Sequence, residues 1–199
     1  MKLSDCAFAL LVTVSLAAQQ PRRPASQTEA MYQSATASAE RKFRHLAENA
    51  ERPDPDQRPT VLTEREVNAY MASGNVKLPT GVKSVRFSGR SGVIDATARV
   101  DFDEITASRR ASNPLLSLFT GVHDVHAVAR AEGSGRRGRV AIQSVEIDGT
   151  TVPRLALEFF IARYITPKHP NVGMDSTFKL TSHIDTAVVG QETLTVTQK

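Results

Sequence analysis

Tryptophan is absent from this chain, cysteine occurs once, and the aromatic rings are limited to eight Phe and three Tyr. One cysteine cannot form an internal disulfide, and it excludes a cysteine zinc site or an iron–sulfur cluster. No apolar run approaches the roughly 20 residues that a membrane-spanning helix needs. The G-x-S-x-G turn of a nucleophile elbow is missing. A Gly-rich phosphate loop is missing as well. Gly133-Ser134-Gly135-Arg136-Arg137-Gly138 has glycines, but no helix follows it to offer a phosphate-binding N-terminus.

What remains is an ordinary globular balance. The 199 residues are 40% hydrophobic and 23% charged, which suits one domain and excludes wholesale disorder. The net charge of +4 fits a protein that meets anionic surfaces such as lipid headgroups or cell-wall polymers. Nucleic acid is attractive to any basic protein. The strands here lack the aromatic-plus-basic pattern of an RNA-binding sheet, and no nucleic-acid partner is expected.

Export is expected from the N-terminus. Met1-Lys2-Leu3 is a minimal positive start, and Ala7 to Ala18 is an apolar run of secretory length. Ser15-Leu16-Ala17 places small residues where a signal peptidase reads. Residues 1–17 are therefore expected to be a cleaved signal peptide, with an uncleaved anchor as the alternative, and 18–26 a linker. Cys6 lies ahead of the apolar run, so it is not a lipoprotein acylation site, and it leaves with the leader. The expected location is periplasmic or secreted.

Residues 27–199 are predicted to form a single α+β domain. Gln27 to Glu51 has neither Gly nor Pro, and Met31, Ala35, Ala39, Phe43, Leu46 and Ala50 mark one helix face. Arg52 to Pro59 stops that helix with three prolines. Thr63 and Glu66 read as a capping box opening a second helix that Gly74 ends. A β-rich stretch follows. Val82 to Phe87 turns through Gly89–Gly92 into a strand with Ile94, Ala96, Ala98, Val100 and Phe102 inward. Leu115 to Phe119 reads as a short helix. A second hairpin, Val122 to Ala131 and Arg139 to Ile147, has a basic tip from Glu132 to Gly138. A bulge near Gln143-Ser144 is needed to bring Val140, Ile142, Val145 and Ile147 to one face. Val152-Pro153 opens an apolar helix with Leu155, Phe159, Ala162 and Ile165 on one face, broadened by Leu157, Phe160 and Ile161. Phe178 to Val189 and Leu194 to Val196 form a third hairpin. The expected architecture is a curved antiparallel sheet built from hairpins, packed by the long N-terminal helix and shorter helices.

Candidate chemistry is sparse. His123 and His126 are three apart on a strand and point to opposite faces, so they do not chelate one metal. His45 falls off its helix stripe and His169 sits between prolines. Asp101, Asp103 and Glu104 read as a solubilising acidic strand end. No catalytic residue, metal or cofactor is assigned. The basic clusters Arg109-Arg110 and Arg136, Arg137 and Arg139 would form a cationic patch if they met at one end. The helix carrying Leu155, Phe159, Phe160, Ile161 and Tyr164 is either plain core or one wall of a lipid-sized groove.

Leu62-Thr63-Glu64-Arg65-Glu66-Val67-Asn68-Ala69-Tyr70 resembles the helix start of small exported bacterial domains that look like the tubular lipid-binding (TULIP-like) superfamily. Ile147 to Pro153 ahead of a helix, and Phe178-Lys179-Leu180 leading into the last hairpin, extend the resemblance over most of residues 60–199. The resemblance implies an elongated curled sheet, a long helix, an apolar groove for acyl chains and no catalytic residues. The chain is short for a full tube. The leading expectation is a non-enzymatic exported envelope protein that binds a lipid or other amphiphile, with an anionic membrane surface nearby. The alternatives are an envelope scaffold or protein-interaction module with a fully packed core, and a hydrolase with an unrecognised site.

Overall fold

The computed structural model describes residues 27–106, 120–167 and 170–199. The leader, the linker, Arg109, Arg110, the Leu115–Phe119 helix and His169 fall outside them. The order is α1 (Gln27–Ala50), β1 (Thr60–Thr63), α2 (Glu64–Ala72), β2 (Val82–Arg90), β3 (Val93–Asp101), α3 (Phe102–Thr106), β4 (Val122–Ser134), β5 (Arg137–Ile147), β6 (Thr150–Thr151), α4 (Arg154–Phe160) with a π-helical turn (Ile161–Ile165), β7 (Asp175–Lys179), β8 (Ile184–Val189) and β9 (Thr193–Gln198). Every strand pairing is antiparallel, and the fold is α+β with one open sheet.

The path β1-β9-β8-β4-β3-β2 runs through that sheet, and β5 carries β4 on one edge and β6 and β7 on the other. β4 changes partners along its length. Residues 122–130 pair with β3, and Gly133 pairs with Ala187 of β8. A Cβ on Gly133 would come within 2.8 Å of the Ala187 carbonyl, so only glycine lets β8 cross here. Gly92 N–H donates to Val189 C=O, which closes the corner between the β2–β3 turn and β8.

Register explains the single apolar face. Ala98 stands opposite Val125, and Val125 opposite Ile147. Between Val128 and Ala129 the β4–β5 ladder skips Gln143. That extra residue is the expected bulge, and it puts Val140 and Ile142 on the side of Val145 and Ile147.

The buried core is concentrated at the α1–α2 end: Ala35, Ala39, Leu46, Leu62, Ala69, Val189 and Val196. Phe43 and Tyr70 meet with ring centres 4.6 Å apart. Asn68 acts as a short surrogate strand on the free edge of β2. Its Nδ2 donates to the Phe87 carbonyl, and its Oδ1 accepts from the Phe87 N–H, both at 2.7 Å.

The capping box forms as expected, and its glutamate does more than cap. Glu66 is only 7% exposed and accepts hydrogen bonds from Lys42 Nζ, Ser38 Oγ and the Thr63 N–H. Burial pushes its carboxyl up, but these donors outweigh burial and hold it at about 2 against an ordinary 4.5. A lowered native value means stability that is complete above the ordinary value and is lost as pH falls through the native one. Allowing for solvent at the one-third exposed Lys42, the contribution is about 2 kcal/mol. The stability gap between wild type and Glu66→Gln should therefore close as pH falls from about 5 to about 2 in urea titrations. A gap independent of pH would contradict this.

Several local expectations need correction. Met31 is exposed at the start of α1, while Asn49, off the expected stripe, is buried. β2 extends to Arg90, leaving a two-residue turn, Ser91-Gly92. The strand carrying Asp101 ends there. Asp101 Oδ1 accepts from the Asp103 and Glu104 N–H groups and starts α3, so Phe102 and Asp103 are helical. The β4–β5 tip is two residues, Gly135-Arg136, because both strands run further than the alternation marked. The third hairpin is split. β7 pairs with β5, and Ser182 and His183, both at positive φ, redirect the chain before β8.

Candidate functional site

A groove of about 800 Å³ lies between α4 and the sheet. Val100, Val125, Ile142, Val145 and Ile147 form its floor, and Phe102 and Ile105 lie at the α3 end. Leu155, Phe159, Phe160, Ile161 and Tyr164, the apolar candidates from the sequence, all line it. Tyr164 is the one lining residue with a polar side-chain atom. The volume falls in the range of about 300–1,000 Å³ typical of small-molecule sites.

No residue of α4 is buried, and Tyr164 in the π turn is 6% exposed. Phe160 stacks on Tyr164 at 5.0 Å between ring centres and meets Phe102 edge-on at 6.1 Å. Leu157, Phe160, Ile161, Tyr164 and Ile165 are the less exposed of the apolar side chains that line the groove from this segment. Of the expected face, Leu155, Phe159 and Ile165 line the groove, with Leu155 79% and Phe159 49% exposed at its mouth, and Ala162 does not. In the π turn the Thr166 N–H reaches back five residues to the Ile161 carbonyl.

Val100, Ile142, Val145 and Ile147 were visible in the sequence as facing positions, Val125 was not, and nothing marked any of them as uncovered. In the structure Val125, Ile142, Val145 and Ile147 are only half-buried. The sheet face that α2 covers at one end is left open beneath α4 at the other.

His123 lies beside the groove, edge-on to Phe102 at 5.6 Å. Its Nδ1 is 2.6 Å from Asp148 Oδ2 and its Nε2 is 2.9 Å from the Thr120 carbonyl. Asp148 and then that carbonyl raise its pKa above the ordinary 6.5. Any stability from this clamp is complete below that ordinary value and fades as pH rises through the raised one. His126 is on the other face, 3.4 Å from Asp95 Oδ1, so the two histidines do point apart. Among the described residues no group of three or more His, Cys, Asp or Glu is placed to hold a metal ion.

The second feature is the basic tip. Arg136 and Arg137 line an open depression with Gly135, Thr177, Phe178 and Lys179. Arg139 is committed to Asp175 across the β5–β7 ladder. Thr106 and Thr120, which flank the segment containing Arg109 and Arg110, lie at the opposite end of β4 from this tip.

Comparison with protein-family models, curated proteins and solved structures finds no match to this chain.

Proposed function

We propose that this protein is a non-enzymatic, exported binder of a lipid or related amphiphile, with the apolar part of the ligand held in the groove beneath α4. The observation that carries this reading is the groove lining: about 800 Å³ of space with Tyr164 as its one polar side chain. Such a lining has no hydrogen-bonding set for a sugar, nucleotide or peptide, and it gains only by removing apolar surface from water. Among the described residues its lining has no carboxylate or imidazole to act on a ligand. The basic composition and the secretory N-terminus support work near a membrane. The resemblance to tubular lipid-binding domains goes with the same reading. The alternative of a protein-interaction module draws on one observation, the exposure of the apolar Leu155 and Phe159 of α4.

Val145→Trp separates the two. Val145 is on the groove floor, and an indole there would fill the space without opening the core. Wild type should bind the fluorescent fatty acid cis-parinaric acid, and the variant at least tenfold more weakly, with its thermal midpoint unchanged or raised. Equal binding by the two would remove the groove as the site. No binding by wild type would favour the interaction module.

A further inference from the structure

We propose that β7 is a self-complementary sheet edge through which two copies of this chain pair, antiparallel, with Thr177 on the two-fold axis. The pairing goes beyond the groove and does not rest on it.

The edge is open. β7 pairs only with β5. In an antiparallel ladder successive residues turn their N–H and C=O groups to opposite sides. The Leu180 N–H donates to the Arg136 carbonyl, and the Ile142 N–H to the Met174 carbonyl. Even-numbered residues of this segment therefore face β5, and Asp175, Thr177 and Lys179 turn their backbone groups outward. All three residues are exposed. The strands at the two ends of the sheet path are treated differently. Asn68 meets the edge of β2, and the outward Thr63 N–H of β1 goes to Glu66. An edge that keeps three outward positions unpaired among the described residues is a template for another strand.

Charge selects that strand. Asp175 and Lys179 lie two places either side of Thr177. Antiparallel pairing centred on Thr177 sets Asp175 opposite the partner's Lys179 at both ends, and each of the three outward pairs exchanges two backbone hydrogen bonds. The next register either way sets one of these charges against threonine, and parallel pairing runs like charge beside like. Within one copy Lys179 stands directly opposite Arg137, a like-charged pair that costs stability. Lys179 has no ionic partner among the described residues, and the partner's Asp175 supplies one. The Asp175 carboxylate is bonded to Arg139 and has lone pairs left for a lysine. The other face of β7 agrees. Phe178 lies over Gly138 and is 46% exposed. The pairing sets it opposite the partner's Ser176 and diagonal to the partner's Phe178, a spacing that aromatic rings reach across.

Sedimentation velocity of the full chain over a concentration series should show a monomer–dimer equilibrium. Asp175→Lys and Lys179→Asp, each alone, set like charges across both ends of the pairing and should weaken the dimer at least about tenfold. An equimolar mixture of the two variants restores opposite charges at both ends and should dimerise as the wild type does. Both side chains are exposed, so the thermal midpoints should hold. A monomer at every concentration, a dimer indifferent to the single changes, or a mixture that stays monomeric would overturn the proposal. Thr177→Cys in a Cys6→Ser chain checks the register. The paired Cα atoms stand about 5.5 Å apart in such a pair, within disulfide reach, so mild oxidation should cross-link them. Val61→Cys, at an exposed position on β1, should stay uncross-linked. Equal cross-linking at the two positions would also overturn it. Val145→Trp should leave the dimer intact, which separates failure of this edge from failure of the groove.

Discussion

Replacing Asn49 by leucine is expected to cost about 3 kcal/mol, read as a lower urea midpoint at unchanged slope. Asn49 is 1% exposed on α1. Its Nδ2 donates to Gln198 Oε1 at 2.8 Å and to the Asp56 carbonyl at 2.9 Å, and its Oδ1 accepts from the Asp56 N–H at 2.8 Å. Gln198, also buried, donates in turn to the carbonyls of Leu46 and Ser182. One amide pair thus joins α1, the proline loop after it, β9 and the turn before β8. Leucine matches the volume but strands Gln198 Oε1 and both Asp56 backbone groups, each worth roughly 1–3 kcal/mol when buried. Asp56 is partly exposed, so water recovers some of its share. Leucine at the exposed Gln143 should shift stability by less than about 0.5 kcal/mol. Equal effects at the two positions would contradict the network's role.

Tyr164→Ala is expected to cost about 3 kcal/mol and to release the roof of the groove. Tyr164 is the one buried side chain between Arg154 and Ile165, and it carries the contact with Phe160. Its loss removes the seat and merges the resulting void with the groove. Amide hydrogen exchange over residues 154–165 should then rise towards that of an open segment, while β3 and β4 keep their protection. Leu155→Ala, at a residue 79% exposed, should change neither. Retained protection in Tyr164→Ala would mean that the helix is held by contacts other than this one.

Much of the fold was legible because its signals are local. The Thr63–Glu66 box, the strict alternation of β3 and the need for a bulge at Gln143 follow from side-chain period and hydrogen-bond geometry within a few residues. What escaped depends on partners far away. An asparagine among charged helix residues reads as solvent-facing, and only Gln198, 149 residues on, makes Asn49 a core position. The tip residues were found, but the meeting of Arg137 with Lys179 required β7 to pair with β5 instead of continuing into β8. Apart from Val125, the groove floor was read as one facing set. That a helix above it would leave space could not be read from periodicity, which marks a face and not what covers it.

Native mass spectrometry of the wild-type chain, purified without denaturant or detergent from a bacterial host, tests the central claim most directly. A species heavier than the polypeptide by one lipid-sized mass, released by organic extraction and absent from Val145→Trp, is the expected result. A wild-type spectrum with the polypeptide mass alone, unchanged after incubation with palmitate or phosphatidylglycerol, would contradict it.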